Sequence, residues 1–272
     1  MKKILKNLTL FFIAFTFILL LLFPLYIMIK ISISNPSEIF SQNPTYLIKE
    51  FTLNHFRDVL QSGPTFFMPL YKSILTAFSA SLLALFIALP AAYAIARFNY
   101  KTRYFLLLAI FVTRMIPEIS IALSVSTTFM RMGLFDTTLG LVLAHVIRIL
   151  PVTCFILVGV FSGFPRELEE QAYIDGCSRL GAIVKIIIPL SLGGISVAGI
   201  FSFLLSWDEF IYASYLTLAN PTMPLKMYYY ISRGDIFSSA TYAVFITVPV
   251  LILTLVLQKY LRAGYLSGAI KG

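Results

Sequence analysis

Residues 166 to 191 read "RELEEQAYIDGCSRLGAIVKIIIPLS", a run that gathers three glutamates, an aspartate and three basic residues in a chain with little other charge. The whole chain has 272 residues, of which 59% are hydrophobic and only 12% charged, and its mean hydropathy is +0.89. That balance is too apolar for an ordinary soluble domain and sets the solvent as a lipid bilayer. A charged island in such a chain stands between membrane-embedded stretches, and its reading decides what kind of membrane protein this is.

Six long apolar segments surround the island, at roughly 8–29, 70–96, 104–130, 137–162, 190–218 and 240–261. At ~1.5 Å per residue each covers a hydrocarbon core of roughly 30 Å as a helix, whereas barrel strands would need only about ten alternating residues. The expected fold class is therefore an all-α integral membrane protein with six transmembrane helices. The first segment follows Lys2, Lys3 and Lys6, as a signal peptide would. Its apolar run is longer than a signal core of ~7 to 15 residues and no small-residue cleavage site follows, so it reads as an uncleaved span.

Basic residues set the orientation. Twelve of the 21 fall at the N-terminus, the 97–103 turn, the 166–191 run and the tail, which all lie on one side of a six-span chain. The positive-inside bias then places both termini and the charged run in the cytoplasm. The net charge of +9 is scattered over loops without a basic stripe and interleaved aromatics, which argues against nucleic acid and for anionic headgroups as its counterpart. Cys154 and Cys177 form neither a disulfide framework nor a zinc site, and His55 and His145 have no metal-ligand spacing.

Within the opening run, Pro165 suits a first helical turn, and Glu167, Glu169 and Glu170 suit the positive end of a helix dipole. Gly176 suits the left-handed closure of that helix. A second helical run, "SRLGAIVKIII", leads to Pro189 and the fifth span. Ala172 and Gly176 are four apart and are expected to share a face bare of side-chain bulk, with Tyr173 and Ile174 adding apolar contact and Glu169, Glu170 and Asp175 adding charge. An amphipathic loop resting on its own membrane would carry Lys and Arg instead of leading with acids.

This run resembles the EAA loop of ABC importer permeases: Glu170, Ala172, Gly176, Ile186 and Pro189 fall on that pattern, while Gln171 and Ile188 depart from it. "SFLLSWDEFIYA" (202–213), "QKYLRAGYLSGAIKG" (258–272), "FTLNHFRDVL" (51–60) and "AAYAIARF" (91–98) are similar to the sugar-importing, maltose-type branch. The resemblance implies a type I importer permease fold and a coupling helix that docks on a separate ATPase through Glu169, Glu170, Ala172, Tyr173, Asp175 and Gly176. It also implies four kinds of partner: a homologous permease, two cytoplasmic ATPase subunits, an extracytoplasmic solute-binding protein, and a sugar as cargo. One permease domain is expected over 1–272, with a first span and outer loop to 69, a core over 70–262, the coupling loop at 163–189 and a tail at 263–272.

No phosphate-cradling G-x-x-x-x-G-K-[ST] run occurs, so no cofactor is expected on this chain and ATP is expected on the partner. An ion-driven secondary transporter would need intramembrane relays. The intramembrane candidates Arg114, Glu118, His145 and Arg148 look more like structural neutralisation or a polar cavity wall. Asp208 and Glu209, adjacent in a helix, point apart and make no acid/base pair for an enzyme; they read either as outer-interface residues beside an anchoring Trp207 or as a polar lining. Arg114, Glu118, Arg148, Asp208 and Glu209 are thus candidate translocation-path residues. Prolines 24, 90, 117, 151 and 249 are expected to interrupt five spans. Gly159 and Gly163 form one G-x-x-x-G, which allows close helix approach. Glycerol phosphate remains the competing cargo.

Overall fold

The computed structural model describes residues 2–43 and 45–268, with side chains described over 6–43 and 45–258. The basic side chains expected at 2, 3, 259, 262 and 271 lie outside the described residues, as does part of the expected tail. Helix is the only extended regular structure among the described residues, with one isolated antiparallel bridge between Ser34 and Phe51. Fourteen α-helical segments follow one another: α1 (Lys2–Ile33), α2 (Pro36–Ile39), α3 (Asn54–Gln61), α4 (Pro64–Ala96), α5 (Tyr100–Val112), α6 (Glu118–Arg131) and α7 (Thr138–Ser162), then α8 (Glu167–Ile174), α9 (Arg179–Ala182), α10 (Ile188–Leu190), α11 (Leu192–Trp207), α12 (Ile211–Leu216), α13 (Met223–Ser232) and α14 (Ile236–Gly268).

Four helices are long and apolar enough to cross a membrane, within residues 6–33, 64–96, 138–162 and 236–258. The third and fifth expected spans are not single straight helices. Residues 100–115 and 118–131 meet at 81°, and residues 179–190 and 192–207 meet at 74°. The first break sits at Ile116–Pro117, where proline has no N–H to donate and drives its predecessor out of the helical region; Ile116 is extended at φ −72°, ψ 131°. Prolines 24, 90, 151 and 249, by contrast, lie inside continuous helices. Of the five expected interruptions only that at Pro117 breaks its helix.

Two compact units make up the chain. The first comprises the segment up to Met68 and Lys226–Val248. Here the outer loop is tied back to the end of α1. Lys30 Nζ pairs with Glu38 at 3.3 Å, both side chains buried, and Glu38 Oε2 accepts the backbone N–H groups of Glu50 at 3.0 Å and Lys49 at 3.1 Å. The N–H of Glu50 above all, joined by those of Lys49 and by the Lys30 ammonium, holds the Glu38 carboxyl below its usual range against the opposing effect of burial. The His55 ring stacks on Phe237 with centroids 4.7 Å apart, and Phe66 packs against Tyr242 and Phe245.

The second unit, Pro69–Leu225 together with the chain from Pro249 on, contains the residues of functional interest. An alanine stripe on α4 (Ala80, Ala84, Ala88, Ala92, Ala96), repeating every four residues, is buried. Small residues at that spacing let helix backbones approach closely, which is how helices associate where lipid removes the hydrophobic drive. Ala88, Ala92 and Ala96 join Leu157, Val158 and Phe161 of α7, Ala198 of α11 and Ile187 in one core cluster. The glycine that lets two helices come close is not Gly159, around which a Cβ would find open space, but Gly194, where a Cβ would fall 2.4 Å from Val160 Cγ2. Gly163 caps α7.

Candidate coupling loop and intramembrane polar cluster

The charged run forms the expected short helix α8, with Glu167, Glu169 and Glu170 in its first turn. It stops as its glycine dictates. Gly176 has φ +84°, its N–H bonds Tyr173 O at 3.1 Å, and the N–H of Cys177 reaches back to Ala172 O at 2.9 Å. This paired closure satisfies two end carbonyls with the left-handed residue that glycine adopts without a Cβ penalty.

The six candidate coupling residues do not share one surface. Glu169 and Ala172 are buried within this chain, whereas Glu170, Tyr173, Asp175 and Gly176 are exposed. The expectation that Ala172 and Gly176 form one bare helical face is corrected: α8 ends at Ile174, so Gly176 lies beyond the helix and outside its periodicity. The outward surface is also more apolar than the candidate set implied, since Ile174 is 84% and Leu180 74% exposed.

Glu169 is held by the end of α4. Tyr93 Oη donates to Glu169 Oε2 at 2.6 Å and the Arg97 guanidinium pairs with Oε1. Arg97 Nη1 also donates to Phe161 O and Phe164 O, each at 3.2 Å, and Arg166 donates back to Arg97 O. Sequence reading missed this clamp. Its available signal was "AAYAIARF", where Tyr93 and Arg97 are four apart and so share a helix face.

The second grouping lies where the bend at Ile116–Pro117 and the end of α11 meet α7. Glu118, first residue of α6, accepts from Arg114 across the bend at 3.1 Å and from Arg148 of α7 at 3.4 Å. Arg114 also donates to Arg148 O at 2.9 Å. Arg148 Nη1 donates to Leu205 O at 2.5 Å and lies 3.6 Å from Asp208 Oδ1. A cavity of about 90 Å³ opens here, lined among others by Thr113, Arg114, Glu118, Arg148 and Tyr212. Two carboxylates and two guanidiniums alternate in this network, so its formal charges cancel.

The structure separates the two adjacent acids. α11 stops at Trp207, Asp208 caps its end, and Glu209 is fully buried, contrary to the expectation that both continue one helix. Glu209 accepts the N–H groups of Tyr212 at 2.7 Å and Ala213 at 3.1 Å, starting α12, and lies 3.1 Å from His145 Nε2. His145 Nδ1 in turn contacts Ser206 Oγ at 2.7 Å. His145, expected to be isolated, is thus the partner that lets a buried carboxylate persist. Trp207 is buried, not spread at a membrane interface. All five candidate path residues therefore converge on α7, within two linked sets around Arg148 and His145.

This arrangement can hold polar helix ends inside a bilayer and offer a binding surface on α8; no group of three or more His, Cys, Asp or Glu that could hold a metal ion occurs among the described residues. Comparison with known proteins agrees. Residues 81–266 match the family described as the binding-protein-dependent transport system inner membrane component. The chain is 31% identical to the trehalose/maltose transport system permease protein MalG of Thermococcus litoralis, across 100% of this chain and 99% of that one. It is 31% identical to the sulfoquinovosyl glycerol transport system permease protein SmoH of Agrobacterium fabrum, across 92% and 89%. Among solved structures it resembles a bacterial ABC transporter involved in import of the acidic polysaccharide alginate, with a TM-score of 0.77 at 19% identity over 94% of this chain and 96% of that one. That likeness fixes the fold as an ABC importer permease fold. The chain belongs to the binding-protein-dependent transport system inner membrane components: it is a multi-pass permease subunit of an ABC importer, a transport protein and not an enzyme.

Proposed function

We propose that this permease forms half of the translocation pathway for a neutral sugar or oligosaccharide, delivered by a solute-binding protein outside a prokaryotic inner membrane. In this reading the chain is one permease domain over 1–272 with six spans, counting each bent pair as one, and both termini are cytoplasmic. A homologous permease stands beside it. Two ATPase subunits bind the ATP, no cofactor sits on this chain, and the 163–189 loop carries their motion inward.

The observation that carries the reading is the two-sided build of α8. Its inner side is clamped to α4 through Glu169, Tyr93 and Arg97, while its outer side offers Glu170, Tyr173, Ile174, Asp175, Gly176 and the nearby Leu180. A rigidly seated helix with exposed apolar tips suits a separate protein better than a lipid surface, which would favour basic residues. Sugar as cargo rests on the trehalose/maltose and sulfoquinovosyl glycerol relatives. Against glycerol phosphate, Arg114 and Arg148 are already matched by Glu118 and Asp208, which leaves no free cation pair for a phosphate in this cluster.

The test is uptake by liposomes containing both permeases, the ATPases and the binding protein. ATP on the cytoplasmic face should be required and an uncoupler should have no effect. Uptake by this chain alone under a proton gradient would refute the proposal.

A further inference from the structure

Asp208 differs from its neighbours in the polar cluster. Its side chain is 63% exposed, against 17% for Arg148, 24% for Glu118 and 1% for Glu209. Arg148 is the eleventh of the 25 residues of α7, so it stands about 15 Å along a helix that rises ~1.5 Å per residue, near the middle of a core of roughly 30 Å. With its carboxylate 3.6 Å from Arg148, Asp208 is held at that same level.

An uncovered carboxylate at mid-membrane is costly against lipid and persists only beside water, a partner group or a solute. Helices broken at mid-depth, with polar ends turned to one spot, are also how membrane transporters make room for a solute. The bend at Ile116–Pro117 and the stop of α11 at Trp207 both deliver polar groups to Arg148. At 3.6 Å the pair is longer than a hydrogen bond, so Arg148 steadies the charge of Asp208 without covering its oxygens.

We propose that Asp208 is a specificity-determining contact in the translocation path. Its carboxylate accepts hydrogen bonds from the hydroxyl groups of a neutral saccharide at mid-membrane and repels acidic saccharides. Sugar hydroxyls donate well to an ionised carboxylate, whose two oxygens suit neighbouring hydroxyls. Asp208 is the most exposed charge of the cluster, at 63% against 29% for Arg114, so an incoming solute meets its carboxylate first and a like charge is repelled there. The inference rests on the sugar reading given above.

The test uses the assembled importer, with maltose, trehalose and diacetylchitobiose as neutral probes and digalacturonate as the acidic one. Uptake is measured in liposomes, and probe binding in nanodiscs without the binding protein, by saturation-transfer NMR. Asp208→Leu should lower uptake of the neutral probe that wild type carries by about tenfold or more, with ATPase pairing intact. Asp208→Asn keeps the shape and some hydrogen bonding; it should weaken neutral-probe binding severalfold and admit digalacturonate, which wild type excludes. Unchanged uptake in Asp208→Leu, or continued exclusion of digalacturonate in Asp208→Asn, overturns the assignment and leaves the sugar reading standing. Loss of permease pairing in Asp208→Asn overturns it too, by placing Asp208 in the subunit interface. Wild type that carries an organophosphate and none of the three sugars overturns both readings together.

Discussion

Removing the inner clamp of the coupling helix should loosen α8 without unfolding the protein. The helix has only eight residues, too few to persist in water by propensity alone, so its order depends on what holds it. Glu169 and Arg97 are both largely buried, and deleting one member of such a pair leaves the other charge uncompensated, at a cost of about 3 to 5 kcal/mol. Loss of the Tyr93 hydroxyl removes one hydrogen bond to a charged acceptor, about 1.5 to 3 kcal/mol. If the cost is confined to local opening, amide exchange across residues 166–176 should quicken roughly 10- to 100-fold in Tyr93→Phe. It should quicken further in Glu169→Ala, while peptides from the α7 core keep their protection. The assay is hydrogen exchange read by mass spectrometry on the purified importer, beside the ratio of ATP hydrolysed to solute moved, which should rise. Unchanged exchange in 166–176 for both variants would refute the clamp.

Three further outcomes follow from the geometry. Gly176→Leu meets no atom within 4 Å of the new Cβ, so its cost is the strained φ of +84°, roughly 1 to 2 kcal/mol; ATPase pull-down should weaken while membrane insertion is unchanged. Gly194→Ala should destabilise by about 1 to 3 kcal/mol through overpacking on Val160, and Val160→Ala in the same chain should restore much of the loss in thermal unfolding. The Glu38 carboxyl, held below 4.5 in the folded state, stabilises the outer loop above about pH 4.5, and that stabilisation fades as pH falls through the lowered folded value. Limited proteolysis of the 35–50 segment should therefore accelerate on acidification in wild type and be pH-insensitive in Glu38→Gln.

Much of the site was legible because it rests on local chemistry. Glycine at 176 and acids at 167, 169 and 170 specify a short, capped helix wherever they occur. The break at Pro117 is also local, though proline alone was a poor guide: Pro24, Pro90, Pro151 and Pro249 lie in unbroken helices, which continue past the missing N–H on their remaining hydrogen bonds. The stop at Trp207 carries no proline or glycine signal. It depends on Glu209 abandoning the helix to accept the Tyr212 and Ala213 N–H groups and meet His145, more than sixty residues away in sequence.

Taken alone, the amino-acid order determined the solvent, the helical class, the approximate position of the spans and the closure of α8, because each depends on composition or on residues within a turn or two of one another. Tertiary structure decided which side of α8 is covered, turning Ala172 and Glu169 inward and leaving Ile174 and Leu180 outside. It also decided that Gly194, not Gly159, lets two helices touch, and that Asp208 faces outward while Glu209 is sealed away. The physical reason is range. Dihedral preference and dipole act along the chain, but burial and charge compensation are settled only when α4, α7 and α11 meet, and a charge in this interior stays where a distant partner can reach it.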